Sequence, residues 1–396
     1  MKQGVLEKLY RRLNVVSVFE GVLHTPLLRA FFAYAESETV EKKLRAYGAF
    51  VAEIYRGGGS LTALTSRLLF EDENVYIRAR AKDKILPVCI AQAAENELNT
   101  FSVLAGLTAE TFVLDMGLTD EERAMLPAFD SVPVSLVQSY ERRANGVARY
   151  GYGVFSSCPM FRVDDEKNLV PIQSADKTDL TKFIGYERER VLVEENTRAF
   201  LSGRPAANVL LCGDAGTGKS STVKALVNAY YPQGLRLIEL RKDQLYLLPY
   251  VMGKIADNPL KFILFIDDLS FNKNDDNFSM LKATLEGSAS ARADNVVIYA
   301  TSNRRHIIKE NFSDREGNDV HRNDTLQETL SLSERFGLTV LFSKPDKKLY
   351  LAIVRGLARR YGIEPDEDLE IRAEAFALKR GNRSARCAEQ FIASLR

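Results

Sequence analysis

A short glycine-rich segment contains the residue types that bind a phosphate group. Residues 213–220 read Gly-Asp-Ala-Gly-Thr-Gly-Lys-Ser and match the pattern G-x-x-x-x-G-K-[ST]. The glycines let successive backbone N–H groups point at one anion, and the start of a following helix adds partial positive charge. We therefore predict a nucleotide phosphate site formed by Gly213, Asp214, Ala215, Gly216, Thr217, Gly218, Lys219, Ser220 and Ser221.

The segments on either side of this loop agree with that prediction. The apolar run 208–212 is typical of a short buried strand, and residues 221–227 have the pattern of a helix. In a strand–loop–helix context, Lys219 can reach the β- and γ-phosphates and the Ser220 hydroxyl can ligate Mg²⁺. A glycine-rich turn before an ordinary helix is the alternative that this context disfavours.

Two carboxylates follow a second apolar segment. Residues 262–266 are apolar and are followed directly by Asp267 and Asp268. Asp267 is predicted to hold Mg²⁺, because a hard cation beside phosphates prefers carboxylate oxygen. Asp268 is placed to orient and deprotonate an attacking water, although most proteins of this type have the longer Glu there. Two solvated acids at the end of a strand are the alternative interpretation.

Three further residues could act on a γ-phosphate. Asn303 follows the apolar run 296–301 and either orients the lytic water or caps the next helix. Arg335 precedes another apolar run and either neutralises the transferring phosphoryl group or forms a surface salt bridge. Arg383 lies at a predicted helix start and either folds over the phosphate or is exposed to solvent. The catalytic candidates are thus Asp268, Asn303, Arg335 and Lys219.

These residues lie between apolar segments that alternate with helical patterns. Such alternation predicts a parallel sheet with helices on both faces, and ligands at the carboxyl ends of its strands. Residues 1 to about 145 have a mostly helical pattern, and 152–173 predict a β-hairpin with its prolines at an edge. The five predicted strands of the sheet are 208–212, 235–240, 262–268, 296–301 and 338–342.

The length of 396 residues allows two or three domains. We predict a mostly helical N-terminal domain over 1–150, a hairpin connection over 151–175, an α/β core over 176–343 and a helical lid over 344–396. With 54 basic and 53 acidic residues, no global positive field indicates nucleic acid.

The sequence also suggests where the protein functions. No apolar run has the length of a membrane span, and the N-terminus lacks a signal-peptide core, so we expect no membrane partner. The four scattered cysteines are typical of free thiols in a reducing compartment. We therefore expect a cytoplasmic protein.

Taken in order, these motifs resemble the AAA+ superfamily of P-loop ATPases. The resemblance rests on Ile184-Gly185, the phosphate loop, 266–268, 301–303, 333–336 and the Gly-x-Arg at 381–383. The longer strings 267–271, 299–306 and 330–338 resemble a narrower bacterial AAA+ family that is catalogued only as a domain of unknown function. The resemblance covers about residues 175–396 and hardly touches the N-terminal region.

The resemblance implies an α/β P-loop NTPase fold with the sheet order 5-1-4-3-2 and a C-terminal helical lid. It also implies ATP and Mg²⁺ as ligands, with Gly185 near the adenine, Asn303 as sensor 1 and Arg383 as a sensor-2-like residue. Ring assembly is implied as well, often as hexamers, in which Arg335 acts on the nucleotide of the neighbouring subunit. For the narrower family it implies no substrate.

The leading interpretation is therefore an ATPase that hydrolyses Mg·ATP to remodel an unknown protein or nucleic-acid partner, which the N-terminal region recognises. A slowly hydrolysing, nucleotide-controlled switch or scaffold is the alternative that Asp268 favours. A DNA-associated loader is a third interpretation. A small-molecule kinase is least supported, since the arginine finger, the sensors and a separate lid would be superfluous.

Overall fold

The computed structural model describes residues 4–173, 178–269, 276–286, 294–303 and 334–395, and only the backbone of 276–279 and 286. Within the strings and boundaries discussed above, residues 174–177, 270–271, 304–306 and 330–333 lie outside this description. The last range includes Ser333, the first residue of the string 333–336. The chain divides into two compact units, Met1–Ser157 and Cys158–Arg396.

The first unit is helical in its described part. A 3-10 turn at Gly153–Ser156 follows its last helix. The helices are α1 (Val5–Leu13), α2 (Glu20–Leu23), α3 (Pro26–Ala35), α4 (Val40–Arg56), α5 (Leu61–Glu71), α6 (Val75–Ala81), α7 (Val88–Ala105), α8 (Ala109–Met116), α9 (Asp120–Ala124), α10 (Leu136–Asn145) and α11 (Val147–Tyr150).

Polar side chains set where several of these helices begin. The side chains of Thr39, Ser60 and Asn74 accept the backbone N–H groups of Lys42, Ala63 and Ile77 at 3.3, 3.3 and 2.9 Å. Each bond satisfies a donor that the first helical turn leaves without an intrahelical partner. Short polar residues between apolar stripes therefore mark the first residues of α4, α5 and α6.

A buried carboxylate joins two distant segments of the first unit. Glu97 on α7 is 6% exposed and accepts the backbone N–H groups of Ser17, Val18 and Phe19 at 2.9 to 3.1 Å. The hydroxyl of Ser17 donates to the same carboxylate at 2.9 Å. A buried carboxylate with this many donors is satisfied, so we interpret Glu97 as a structural residue.

The described ranges of the second unit contain one seven-stranded sheet. Its order is β2-β1-β4-β5-β6-β3-β7, and every neighbouring pair is parallel except β1 with β2. The sequence predicts a parallel α/β sheet, and the structure confirms an α/β sheet that is mostly parallel. The strands are β1 (Met160–Val163), β2 (Leu169–Pro171), β3 (Val209–Gly213), β4 (Leu235–Leu240), β5 (Lys261–Ile266), β6 (Val296–Ser302) and β7 (Leu338–Phe342).

The predicted order 5-1-4-3-2 is wrong for the sheet as a whole, because the hairpin extends it by two strands. The five predicted strands do follow one another as β7-β3-β6-β5-β4, but β1 pairs in parallel beyond β4, with Phe161 opposite Ile238. Pairing removes the exposed edge that β4 would otherwise present. Pro171 ends β2 at the new edge, where a missing N–H interrupts no ladder.

Helices flank the sheet, and three of them form a cluster of their own at the C-terminus. Tyr350, Val354 and Phe391 are among the buried residues of that cluster. Its function as a lid stays a prediction. No helix within the described ranges is both long and apolar enough to span a bilayer. The helices are α12 (Glu187–Leu201), α13 (Lys219–Tyr230), α14 (Leu248–Ile255), α15 (Asp276–Glu286), α16 (Lys347–Arg360), α17 (Glu367–Lys379) and α18 (Ala385–Ala393).

The end of β3 lies unusually close to the end of β7. Gly213 pairs with Phe342 and has φ of 132°, a conformation that side-chain-bearing residues rarely adopt. A Cβ at Gly213 would overlap the carbonyl oxygen of Phe342. The predicted phosphate loop therefore leaves the sheet at a position where glycine is required.

We predict that Gly213→Ala destabilises the second unit by about 3 kcal/mol or more, because the clash is with backbone and adds to strain at φ. Gly203→Ala is the matched control, since Gly203 has φ of 71° but no atom within 4 Å of an added Cβ. The control should cost about 1 kcal/mol. Calorimetric unfolding of both variants measures the difference, and equal costs would contradict the prediction.

Candidate nucleotide-binding site

The phosphate loop joins β3 to α13 through two further glycines in left-handed conformations. Gly216 has φ of 78°, and Gly218, which precedes the first residue of α13, has φ of 87°. These angles turn the chain so that the first N–H groups of α13 begin beside the loop, without intrahelical partners. Helix starts of this kind are typical positions for a bound anion, as the sequence predicts here.

Lys219 folds back over this loop. It is 5% exposed, and its Nζ donates to the carbonyls of Gly213 and Asp214 at 2.9 and 2.8 Å and to Asn303 Oδ1 at 3.0 Å. Burial lowers the pKa of the ammonium, while nearby Asp214 and Asp267 act in the opposite direction. The structure therefore places a partly desolvated cation beside the predicted phosphate position.

The two predicted metal ligands are in direct contact. Ser220 Oγ donates to Asp267 Oδ1 at 2.6 Å, although the residues belong to different elements. Asp267 directly follows β5, and Ser220 lies in the first turn of α13. A hydroxyl and a carboxylate at this spacing are hard oxygen donors, so the site fits Mg²⁺.

Asn303 connects Lys219 to the second acid. Its Nδ2 donates to Asp268 Oδ1 at 2.7 Å, while its Oδ1 accepts the bond from Lys219. Both Asp268 and Asn303 are exposed at the carboxyl ends of β5 and β6. The structure thus brings together Lys219, Ser220, Asp267, Asp268 and Asn303, all predicted from sequence.

The segment before α12 packs close to the loop and to α16. Gly185 has φ of 79°, and a Cβ there would lie 2.7 Å from Leu349 Cδ1 of α16. Ile184 contacts the same helix, where Gly356 leaves room for its side chain. The ring of Phe183 lies 3.9 Å from the position of a Cβ on Gly218. This apolar corner beside the phosphate loop suits a nucleotide base.

Arg383, predicted to fold over the phosphate, instead bonds to the carboxylate of Glu374. Its Nε donates to Glu374 Oε1 and Oε2 at 3.0 and 3.2 Å, and a terminal nitrogen contacts the same carboxylate. This bond lowers the pKa of Glu374. Arg383 therefore links the start of α18 to α17.

Arg386, which sequence analysis did not single out, lies against the loop. Its backbone N–H donates to the Gly216 carbonyl at 3.4 Å, and its Cβ is 3.3 Å from where a Cβ on Gly216 would be. Ser384 caps α18 by accepting the Cys387 N–H at 3.1 Å, which puts Arg386 in the first turn. A Ser-x-Arg spacing is a weak signal in sequence, and the nearby Gly-x-Arg competed with it.

Arg335 is a second predicted residue that the structure keeps apart from this cluster. It precedes the amino end of β7, whereas Phe342 at the carboxyl end pairs with Gly213. At about 3.3 Å per strand residue, the four steps from Leu338 to Phe342 separate Arg335 from the phosphate loop of its own chain by roughly 13 Å. An extended arginine side chain does not cover that distance.

We predict that Arg386→Ala weakens ATP binding about tenfold relative to ADP, because a charge-assisted contact to the terminal phosphate is lost. Its thermal unfolding should be unchanged, since Arg386 is exposed and forms no ion pair with any residue that the structure describes. Calorimetric titrations with both nucleotides in an Asp268→Asn background measure the ratio.

Arg383→Ala is the matched control for that experiment. It should lower the unfolding temperature of the second unit, because Glu374 loses its partner, and leave the ratio of ATP to ADP affinity unchanged. The reverse pattern in the two variants would assign the phosphate contact to Arg383 instead.

Comparison with known proteins assigns the chain to a family. Residues 156–396 match the model of a family described as protein of unknown function (DUF815). No curated protein matches the chain.

Among solved structures, the chain is similar to RuvB of Thermotoga maritima, a Holliday junction branch migration motor, at 14% identity over 56% of this chain and 72% of that one. A variant of that RuvB is similar at 16% identity over the same shares. The TM-scores of the two matches are 0.33 and 0.34. Because the family match spans more than half of the residues, the protein belongs to the DUF815 family, which confirms the predicted membership of a family catalogued as a domain of unknown function.

Proposed function

We propose that the protein is an AAA+ ATPase that binds and hydrolyses Mg·ATP to remodel a macromolecular partner. One observation carries this proposal. A continuous hydrogen-bonded chain lies at the carboxyl ends of adjacent parallel strands and connects, in this order, Lys219, Asn303, Asp268, Thr301, Asp267 and Ser220. Phosphate-binding, metal-binding and water-orienting groups thereby share one edge of the sheet.

The loop and the first acid bind the nucleotide in this proposal. The backbone N–H groups of residues 213–221 and the Lys219 ammonium hold the phosphates. Ser220 and Asp267, already in contact, hold the metal ion. Mg²⁺ supplies neutralisation of the charge on the phosphate oxygens when it is bound. Gly185 and its apolar neighbours contact the base.

Asp268 and Asn303 act on the attacking water. Asp268 is exposed at the edge of the sheet and accepts the proton, and Asn303, 2.7 Å from its carboxylate, holds the water in line with the γ-phosphate. Arg386 adds positive charge from α18. Arg383, proposed from sequence for that charge, supports α18 through Glu374.

Arg335 acts in trans in this proposal. Its position at the far end of β7 separates it from its own phosphate loop, so a second copy must present it to the reacting phosphate. The function therefore requires an ATP-dependent oligomer. Ring assembly, a cytoplasmic location and recognition of the partner by the N-terminal region stay predictions.

The slow switch is the competing function, and Asp268 distinguishes the two. We predict that Asp268→Asn lowers kcat about 100-fold, because the proton acceptor is lost, and retains nucleotide binding. Asp268→Glu should stay within a few-fold of wild type if the native site is built for turnover. A gain above tenfold in steady-state phosphate release would support the switch instead.

We also predict that light scattering detects a larger assembly of Asp268→Asn in Mg·ATP than without nucleotide. Arg335→Ala and Asp268→Asn should each be inactive, yet their mixture should regain ATPase activity. An interface between them combines intact Asp268 of one chain with intact Arg335 of the other. A monomer in every condition, or a mixture without activity, would overturn the shared site.

A further inference from the structure

A buried threonine at the end of β6 contacts both acids of the site. Thr301 is 2% exposed, and its Oγ1 donates to Asp267 Oδ1 at 2.6 Å. The same oxygen accepts the backbone N–H of Asp268 at 2.9 Å. The Thr301 carbonyl accepts the N–H of Leu269 at 2.7 Å. Three consecutive residues after β5 are therefore bonded to this one residue.

The turn that Thr301 holds has an uncommon backbone conformation. Asp268 has φ of 54°, in the left-handed region, which costs a residue with a side chain about 1 kcal/mol or more. Such a conformation persists where the surroundings determine it. The bonds from Asp268 and Leu269 to Thr301 stabilise this conformation. As a result, the Asp267 carboxylate contacts Ser220 and the Asp268 carboxylate contacts Asn303.

The hydroxyl of Thr301 is used as donor and acceptor at once. An apolar side chain of the same size would fill the same buried space but would form neither the bond to Asp267 nor the bond from the Asp268 N–H. Valine has the same shape without a hydroxyl, and serine retains the hydroxyl without the methyl group. The two substitutions therefore separate packing from hydrogen bonding at this position.

We propose that Thr301 is a positioning residue that orients Asp267 for the metal ion and Asp268 for the water. This inference rests on the proposed ATPase function and acts through the two acids, since Thr301 itself is buried beneath them. Thr301 and Ser220 each donate their own hydrogen bond to Asp267. The Asp267 carboxylate therefore keeps its orientation through Thr301 when the Ser220 hydroxyl leaves it to bind a ligand.

Thr301→Val and Thr301→Ser test the inference through ADP affinity measured with and without Mg²⁺. In Thr301→Val, the affinity for ADP without Mg²⁺ should stay within about twofold, since Thr301 bonds to none of the loop residues. Mg²⁺ should increase the affinity for ADP, and the Mg²⁺ concentration that gives half of this increase should be about tenfold higher in Thr301→Val than in wild type. The kcat for ATP should fall tenfold or more, with little change in KM. Thr301→Ser should restore both.

Thr197→Val is the matched control. Thr197 is also fully buried in this unit, and its hydroxyl bonds to the Val193 carbonyl and to Tyr299, each at 2.8 Å, away from the acids. It should lose stability without a change in Mg²⁺ dependence. If Thr301→Val does not fold, Thr301→Cys, with a weaker donor and acceptor, replaces it.

Three outcomes would overturn the inference: Thr301→Val with wild-type Mg²⁺ dependence, Thr301→Ser as impaired as the valine variant, or equal loss of ADP binding with and without Mg²⁺. Failure of the proposed function has a different signature, because the wild-type protein would then release no phosphate from ATP. The Mg²⁺ dependence of ADP binding tests Thr301 in that case too.

Discussion

The parallel pairing of β6 between β3 and β5 is the constraint on which the site depends. The register places Cys212 of β3 beside Ser302 and Ile266 of β5 beside Ala300, so the next residues on all three strands meet at one edge. Asp267 consequently faces Thr301, and Asn303 faces the loop that contains Lys219. A slip of one residue would turn these side chains to the opposite face of the sheet.

A second set of contacts ties that edge to the C-terminal helices. Asp214 of the phosphate loop accepts the backbone N–H of Lys344 at 3.0 Å, and the Tyr186 hydroxyl donates to the Ser343 carbonyl at 2.6 Å. Residues 343–346 lead from β7 into α16, so the phosphate loop and the segment before α12 both form hydrogen bonds to the same connection. A ligand at the loop therefore lies where it can affect how α16 leaves the sheet.

The sequence predicted those parts of the site that are formed by residues adjacent to one another along the chain. A glycine-rich loop before a helix is typical of an anion-binding site, and an apolar strand followed by Asp267 and Asp268 places both acids at the same edge. The strand segments were recognisable for the same reason, since buried parallel strands are continuous apolar runs. The hairpin was recognisable too, but its place beside β4 was not, because strand partners are distant in sequence.

The choice between Arg383 and Arg386 shows where local patterns stop being informative. Both lie near the start of α18, and each has a small or glycine residue two positions before it. Glu374 on α17 binds the first, and the packing of α18 on Gly216 brings the second to the loop. Sequence around the arginines contains neither of these partners.

The sequence by itself determined the phosphate loop, the acids, the alternation of strands and helices, and the family, because these depend on residue type and short-range spacing. Tertiary structure alone decided the seven-stranded order, the placement of Arg386, the distance of Arg335 from its own loop and the bonds of Thr301. The physical reason is that each of these depends on contacts between segments separated by tens of residues or more, whose geometry is set by sheet register and helix packing.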